Sequence, residues 1–273
     1  MHLFTPRLLG RCAAALLLCA TVVDAVPGAV EVDLVFPQND TYAPEPIIPV
    51  AFAFRGGDIA GFLQPRVTFA IYPYGTEPVD IIGATGDFDM TWGNFVDHDP
   101  YMQYGEAVEL LNIEGVWTLE WDLATLSCSA GGGALNITNG NRRGRVTFTT
   151  KNGAKRPDLA ATLPRETCRP SEGFAFSVTD TRASGTAFPN GKPCAVLAET
   201  TPTPSACGIK IEAAAAASVS AELTGRACAV QTPSPTPWCP PPEKSIAGGL
   251  VVPGMACLAA LVGGLGFLQL VMG

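Results

Sequence analysis

Histidine is almost missing from this chain, with only His2 and His98 present. A catalytic triad or histidine-rich metal site would have to be built around His98, because His2 falls in a segment expected to be removed. The sequence also lacks a phosphate-cradling loop, since Gly131-Gly132-Gly133 is followed by neither a Lys-Ser/Thr pair nor a helical pattern. There is no Cys-x-x-Cys pair and no Cys/His spacing of the zinc type. Positive charge is scarce: 17 Lys and Arg against 25 Asp and Glu give a net charge of −8, which disfavours nucleic acid as a partner. No nucleotide and no cofactor is expected.

What is present begins with two apolar runs. Arg7 and Arg11 precede the stretch Cys12 to Val23, which has the length of a secretory signal core and is short for a membrane span. Val23-Asp24-Ala25 satisfies the small-residue rule of signal peptidase, so residues 1–25 read as a signal peptide cut after Ala25. The second run, Leu250 to Gly273, carries no charge and no basic residue after it. Ser245, Ala247, Gly248 and Gly249 lie just upstream, so residues 246–273 read as a propeptide exchanged for a glycosylphosphatidylinositol (GPI) anchor at Ser245. The spacer is shorter than the usual pattern of about 8–12 residues. A single-pass helix is the alternative topology.

Removing Arg7, Arg11 and Asp24 leaves 15 basic and 24 acidic residues, a mature net charge of −9. The charge is lopsided. Glu31 to Asp122 holds 16 acids against Arg55 and Arg66, whereas Leu123 to Arg226 holds 12 bases and 7 acids. The basic cluster Arg142, Arg143, Arg145, Lys151, Lys155 and Arg156 reads as a solvated hairpin, or else as a surface facing a polyanion; Arg142-Arg143 is also a dibasic pair open to processing. Six cysteines survive loss of both ends: Cys128, Cys168, Cys194, Cys207, Cys228 and Cys239. An even number in a secreted chain implies three disulfides. Of the 15 connectivities, local loops Cys194 to Cys207 and Cys228 to Cys239 would leave Cys128 with Cys168. The sequons at Asn39 and Asn136 call for exposed, glycosylated loops.

Apolar residues recur with period two in short runs closed by Pro, Gly, Asn or Asp, which is the pattern of strands. The runs are Val30 to Phe36, Ile47 to Phe54, Val67 to Tyr72, Gly115 to Leu123, Arg145 to Thr150, Gly173 to Thr179 and Ser218 to Thr224. In the fourth, Trp117, Leu119, Trp121 and Leu123 share one face, which should be core. Together with 29 Gly and 24 Pro, these runs predict an all-β, disulfide-stabilised antiparallel sandwich of immunoglobulin or fibronectin type over residues 26–230, with a β-barrel as the alternative. Glu212 to Ala217, a Glu and five alanines, is read as a lead-in to the last strand. Residues 231–245, with six prolines among Thr and Ser, predict an extended stalk.

One dense polar stretch, Gly86 to Glu109, holds Asp87, Asp89, Asp97, His98, Asp99, Glu106 and Glu109 among Trp92, Phe95, Tyr101 and Tyr104. As paired carboxylates they would serve glycoside hydrolysis, and Asp87, Asp89, Asp97 and Asp99 would offer oxygen ligands to Ca²⁺. The plainer reading is a long solvated loop, with no catalytic residue and no metal. Exposed Trp92, Tyr101, Tyr104 and Trp238 would instead form a sugar-stacking platform.

The segment Val32 to Pro44, the Ile47 to Phe54 strand, Gly115-Val116-Trp117-Thr118-Leu119-Glu120-Trp121 and the spaced cysteines resemble a family of secreted ascomycete proteins catalogued as a domain of unknown function. The resemblance covers roughly Val30 to Cys228. It implies a fungal source and a cell-surface or wall location, and it carries no catalytic residue. The expectation is a GPI-anchored extracellular protein with a structural or binding role, no enzymatic activity, and the membrane and wall glycans as partners.

Overall fold

The computed structural model describes residues 28–76, 84–129, 134–160, 173–204, 209–230 and 238–239. One compact unit runs to Ser234 and a second begins at Pro235. In chain order the first unit contains β1 (Gly28–Phe36), β2 (Thr41–Tyr42), β3 (Ile47–Arg55), α1 (Asp58–Gly61), β4 (Arg66–Pro73) and β5 (Ala84–Asp89). There follow β6 (Tyr101–Val108), β7 (Gly115–Cys128), β8 (Ile137–Thr150), β9 (Gly173–Arg182), β10 (Cys194–Leu197) and α2 (Ala213–Val230). The signal segment, Cys168, Cys207, Ser245 and nearly all of the stalk lie outside the described residues.

The strands form a disulfide-stabilised β-sandwich. One sheet runs β6-β3-β1-β9-β10 and the other β5-β4-β7-β8-β2; a single parallel bridge, Val196↔Cys128, joins them. The remaining pairings are antiparallel except for the short β2–β8 ladder. The alternation in β7 does what its sequence dictates, for Trp117, Leu119, Trp121 and Leu123 are buried together. Phe52 of β3 meets Trp121 edge-on across the sandwich, with ring centroids 5.2 Å apart, and Phe174 of β9 lies 4.8 Å from the same ring. Burying each such side chain stabilises the fold by about 1.5–3 kcal/mol. β7 and β8 are longer than the runs that announced them, pairing over fourteen residues from Gly115↔Thr150 to Cys128↔Ile137. Arg142 and Arg143 thus sit within a ladder, opposite Leu123 and Asp122, rather than in an open processing site.

Two expectations are corrected. Ser218 to Thr224 is part of α2 and not a strand, because the alanines before it favour helix and the buried positions Ala216, Leu223 and Ala227, with half-buried Val219, fall at helical spacing. The Val219, Ala221, Leu223 alternation is incidental, and Ala221 is exposed. The second correction concerns the cysteines. Cys128 pairs with Cys194, since the end of β7 and the start of β10 lie side by side with Cα atoms 5.9 Å apart. This excludes both Cys128–Cys168 and Cys194–Cys207. Cys228 and Cys239 are each disulfide-bonded. Among the described residues no helix is long and apolar enough to cross a membrane.

Candidate functional site

The stretch read as a solvated loop contains two strands. Among the described residues β5 pairs with β4 alone and β6 with β3 alone, so these outer strands of opposite sheets border the seam between them. Phe69 and Phe88 lie between the sheets there, ring centroids 5.8 Å apart. Gly86 of β5 and Gly105 of β6 point inward over them: a Cβ at Gly86 would lie 2.2 Å from Phe69 Cε1, and one at Gly105 would lie 3.0 Å from Phe88 Cζ. The absent side chains leave room for the rings. The result is a groove of about 510 Å³, lined by Phe88, Tyr104, Thr85, Asp87, Glu106 and Arg226 among others. That volume is within the range of about 300–1,000 Å³ found for small-molecule sites.

α2 supplies the far wall. Its apolar stripe packs toward β3 and β6, and this places Arg226 over the β6 edge. The Arg226 guanidinium donates to Glu106 Oε2 at 2.7 Å and to the backbone carbonyl of Tyr104 at 3.2 Å. A second hollow of about 200 Å³ lies between α2 and β6, lined by Met102, Gln103, Val219, Glu222 and Leu223. Tyr104 and Arg226 line both hollows, so the two adjoin.

Each groove carboxylate is matched by an arginine. Arg66 forks onto Asp87, with Nε donating at 2.9 Å, and this hydrogen bonding holds the Asp87 carboxyl below its ordinary range. Glu106 is ion-paired with Arg226. Burial pushes the Tyr104 phenol above its usual value, and its hydroxyl can donate and accept. A glycosidase acid must hold its proton near neutrality through a raised pKa, and Asp87 is displaced in the opposite direction.

The other residues singled out in the sequence scatter. Hydrogen bonds from the Thr91 hydroxyl and from the Thr91 backbone N–H, the latter at 2.9 Å, lower the Asp89 carboxyl. Asp97 accepts from Asn94 at 2.8 Å, while Asp99 accepts from the Gly56 N–H at 3.3 Å. Asn112 donates to Glu109 at 3.4 Å. Asp87, Asp89, Asp97 and Asp99 are thus engaged locally, and among the described residues no three acidic, cysteine or histidine side chains converge as a metal site would require. His98 is exposed beside Tyr101, whose ring packs on Phe95 at 5.0 Å. Trp92 is exposed and Tyr104 lies in the groove, while Trp238 belongs to the second unit. The basic cluster is largely neutralised, Arg143 by Asp122, Arg145 by Glu120, Lys155 by Asp40 and Arg156 by Glu45. Asn39 and Asn136 are exposed.

Sequence reasoning missed Arg226, Phe88, Gly86 and Gly105 as groove residues. The available signal was the alternation Ala84-Thr85-Gly86-Asp87-Phe88-Asp89, which reads as a strand once Gly86 is allowed to stand for an inward position. No curated protein matches the sequence. A family model does match, over residues 25–237, and the chain belongs to the family described as Domain of unknown function (DUF7136).

Proposed function

We propose that this is a secreted protein held at the cell surface by a GPI anchor on Ser245, with a non-enzymatic binding role centred on the β5–β6 groove. The observation that carries the binding role is the pairing of both groove carboxylates with arginine, which makes them fixed hydrogen-bonding groups rather than proton donors. The surface location is supported by the disulfide-bonded fold, by the apolar runs on either side of the matched family region, and by the Pro-rich residues that follow the sandwich. Asn39 and Asn136, exposed in their sequons, are the glycosylation sites of this reading. The resemblance to secreted ascomycete proteins adds a fungal source and a wall-facing location.

Treatment of intact expressing cells with phosphatidylinositol-specific phospholipase C tests the anchor. Release of protein lacking residues 246–273 is the expected result. Retention, with peptides from Leu250 to Gly273 still attached, overturns the anchor in favour of a single membrane-spanning helix.

A further inference from the structure

We infer that the β5–β6 groove binds a neutral oligosaccharide, an inference that rests on the groove being the binding site. Charge comes first. Asp87 and Glu106 are each ion-paired, with Arg66 and Arg226, so the rim is rich in oriented donors and acceptors, and the lining carboxylates, Glu222 included, outnumber Arg226 and oppose an anion. A ligand that matches such a rim is uncharged and densely hydroxylated. The carboxylate oxygens accept from its hydroxyls, and the Arg226 guanidinium, which engages Glu106 and Tyr104 through Nη2, has Nε and Nη1 to donate to them.

The apolar surface makes the same selection. Tyr104 and Phe88, both partly exposed at the groove, offer flat rings among polar groups. Sugars have this pairing of properties, with C–H faces that stack on aromatic rings and hydroxyl edges that hydrogen-bond in plane. The Tyr104 hydroxyl can both donate to and accept from such a partner.

Shape then points to more than one sugar unit. Hollows of about 510 and 200 Å³ share Tyr104 and Arg226 as a common wall, and the second also sets polar side chains, Gln103 and Glu222, beside apolar ones, Met102 and Leu223. A ligand with a repeating unit can fill both. An extended peptide adding to the β6 edge is the competing occupant, and Arg226 opposes it by taking the outward carbonyl of Tyr104 that such a strand would need.

The test uses the protein released from cells, titrated calorimetrically with laminarihexaose, cellohexaose and chitohexaose, and with hexagalacturonate as an anionic comparison. At least one neutral hexamer is expected to bind, with the monosaccharide at least tenfold weaker. Tyr104→Ala should weaken binding about tenfold by removing the shared stacking surface. Thr85→Trp, at an exposed position on the rim, should abolish binding by filling the groove while circular dichroism stays native. Absence of binding to every neutral hexamer by folded protein overturns the inference, as does tighter binding of the galacturonate or binding untouched by both substitutions. Anchor release by phospholipase C is a separate readout, so loss of the ligand claim and loss of the surface claim are distinguishable.

Discussion

The ring of Phe69 fills the space that a side chain at Gly86 would need. Phe69 is buried and held by Phe52 and Phe88, with centroids 6.2 and 5.8 Å away, so it has little room to yield. Gly86→Ala is expected to cost about 1–3 kcal/mol, the usual penalty for overpacking. Gly225, in the interior of α2 with open space where a Cβ would project, gives the opposite sign. Gly225→Ala should stabilise by about 0.5–1 kcal/mol through helix propensity. Urea denaturation of both variants checks the pair.

Asp33 predicts a pH dependence. It is wholly buried on β1; its Oδ2 accepts from Arg55 at 2.8 Å, Oδ1 has no hydrogen-bond partner among the described residues, and Glu31 shares the same arginine. Burial outweighs Arg55 and pushes the Asp33 carboxyl up to about 6 from 3.8. A carboxyl raised in the folded state contributes stability that is complete below about pH 4 and lost as pH rises through 6. Two pKa units correspond to about 3 kcal/mol. Asp87 and Asp89 act oppositely, being lowered, so their contribution fades as pH falls below 3.8. The melting temperature should therefore decline between pH 4 and 6.5, and Asp33→Asn should flatten that decline. An unchanged slope in the variant would refute the assignment.

The two buried tryptophans should respond differently to loss of the indole nitrogen. Trp117 Nε1 donates to Thr150 Oγ1 at 2.7 Å, whereas Trp121 Nε1 is buried with no hydrogen-bond partner among the described residues. Both substitutions to Phe remove similar volume, but Trp117→Phe also loses a buried hydrogen bond while Trp121→Phe removes an unsatisfied donor. Trp117→Phe is expected to be the more destabilising by about 1 kcal/mol. Equal midpoints in a denaturation series would contradict this.

Cys128 and Cys194 are 66 residues apart, and a cross-link of that span stabilises by roughly 4 kcal/mol in the chain-entropy account. The double variant Cys128→Ser/Cys194→Ser should lose about that amount in guanidinium unfolding. A change below about 1 kcal/mol would show that the Val196↔Cys128 bridge and its surroundings hold the sheets together without it.

The sandwich was legible where chemistry repeats locally. Trp117, Leu119, Trp121 and Leu123 announce a buried face from four positions alone, and β1, β3 and β9 are marked by comparable runs. β5 and β6 were obscured because Gly86 and Gly105 stand at inward positions where an apolar residue would signal a strand. Their exposed faces also carry the acids that resemble a solvated loop. In α2 a two-residue alternation competed with a four-residue one, and tertiary packing of Leu223 and Ala227 favoured the second. The groove could not be read at all, since Glu106 and Arg226 are 120 residues apart and meet only when a helix crosses a sheet edge.

The Cys128–Cys194 link also bears on how damage to the molecule would register. It closes a ring that contains β8 and β9, one strand from each sheet. A protease that cuts once anywhere between residues 129 and 193 leaves two fragments covalently joined, so the nicked protein keeps its mass on a non-reducing gel. Reduction is what separates the pieces, so a single cut within the ring sheds neither β8 nor β9.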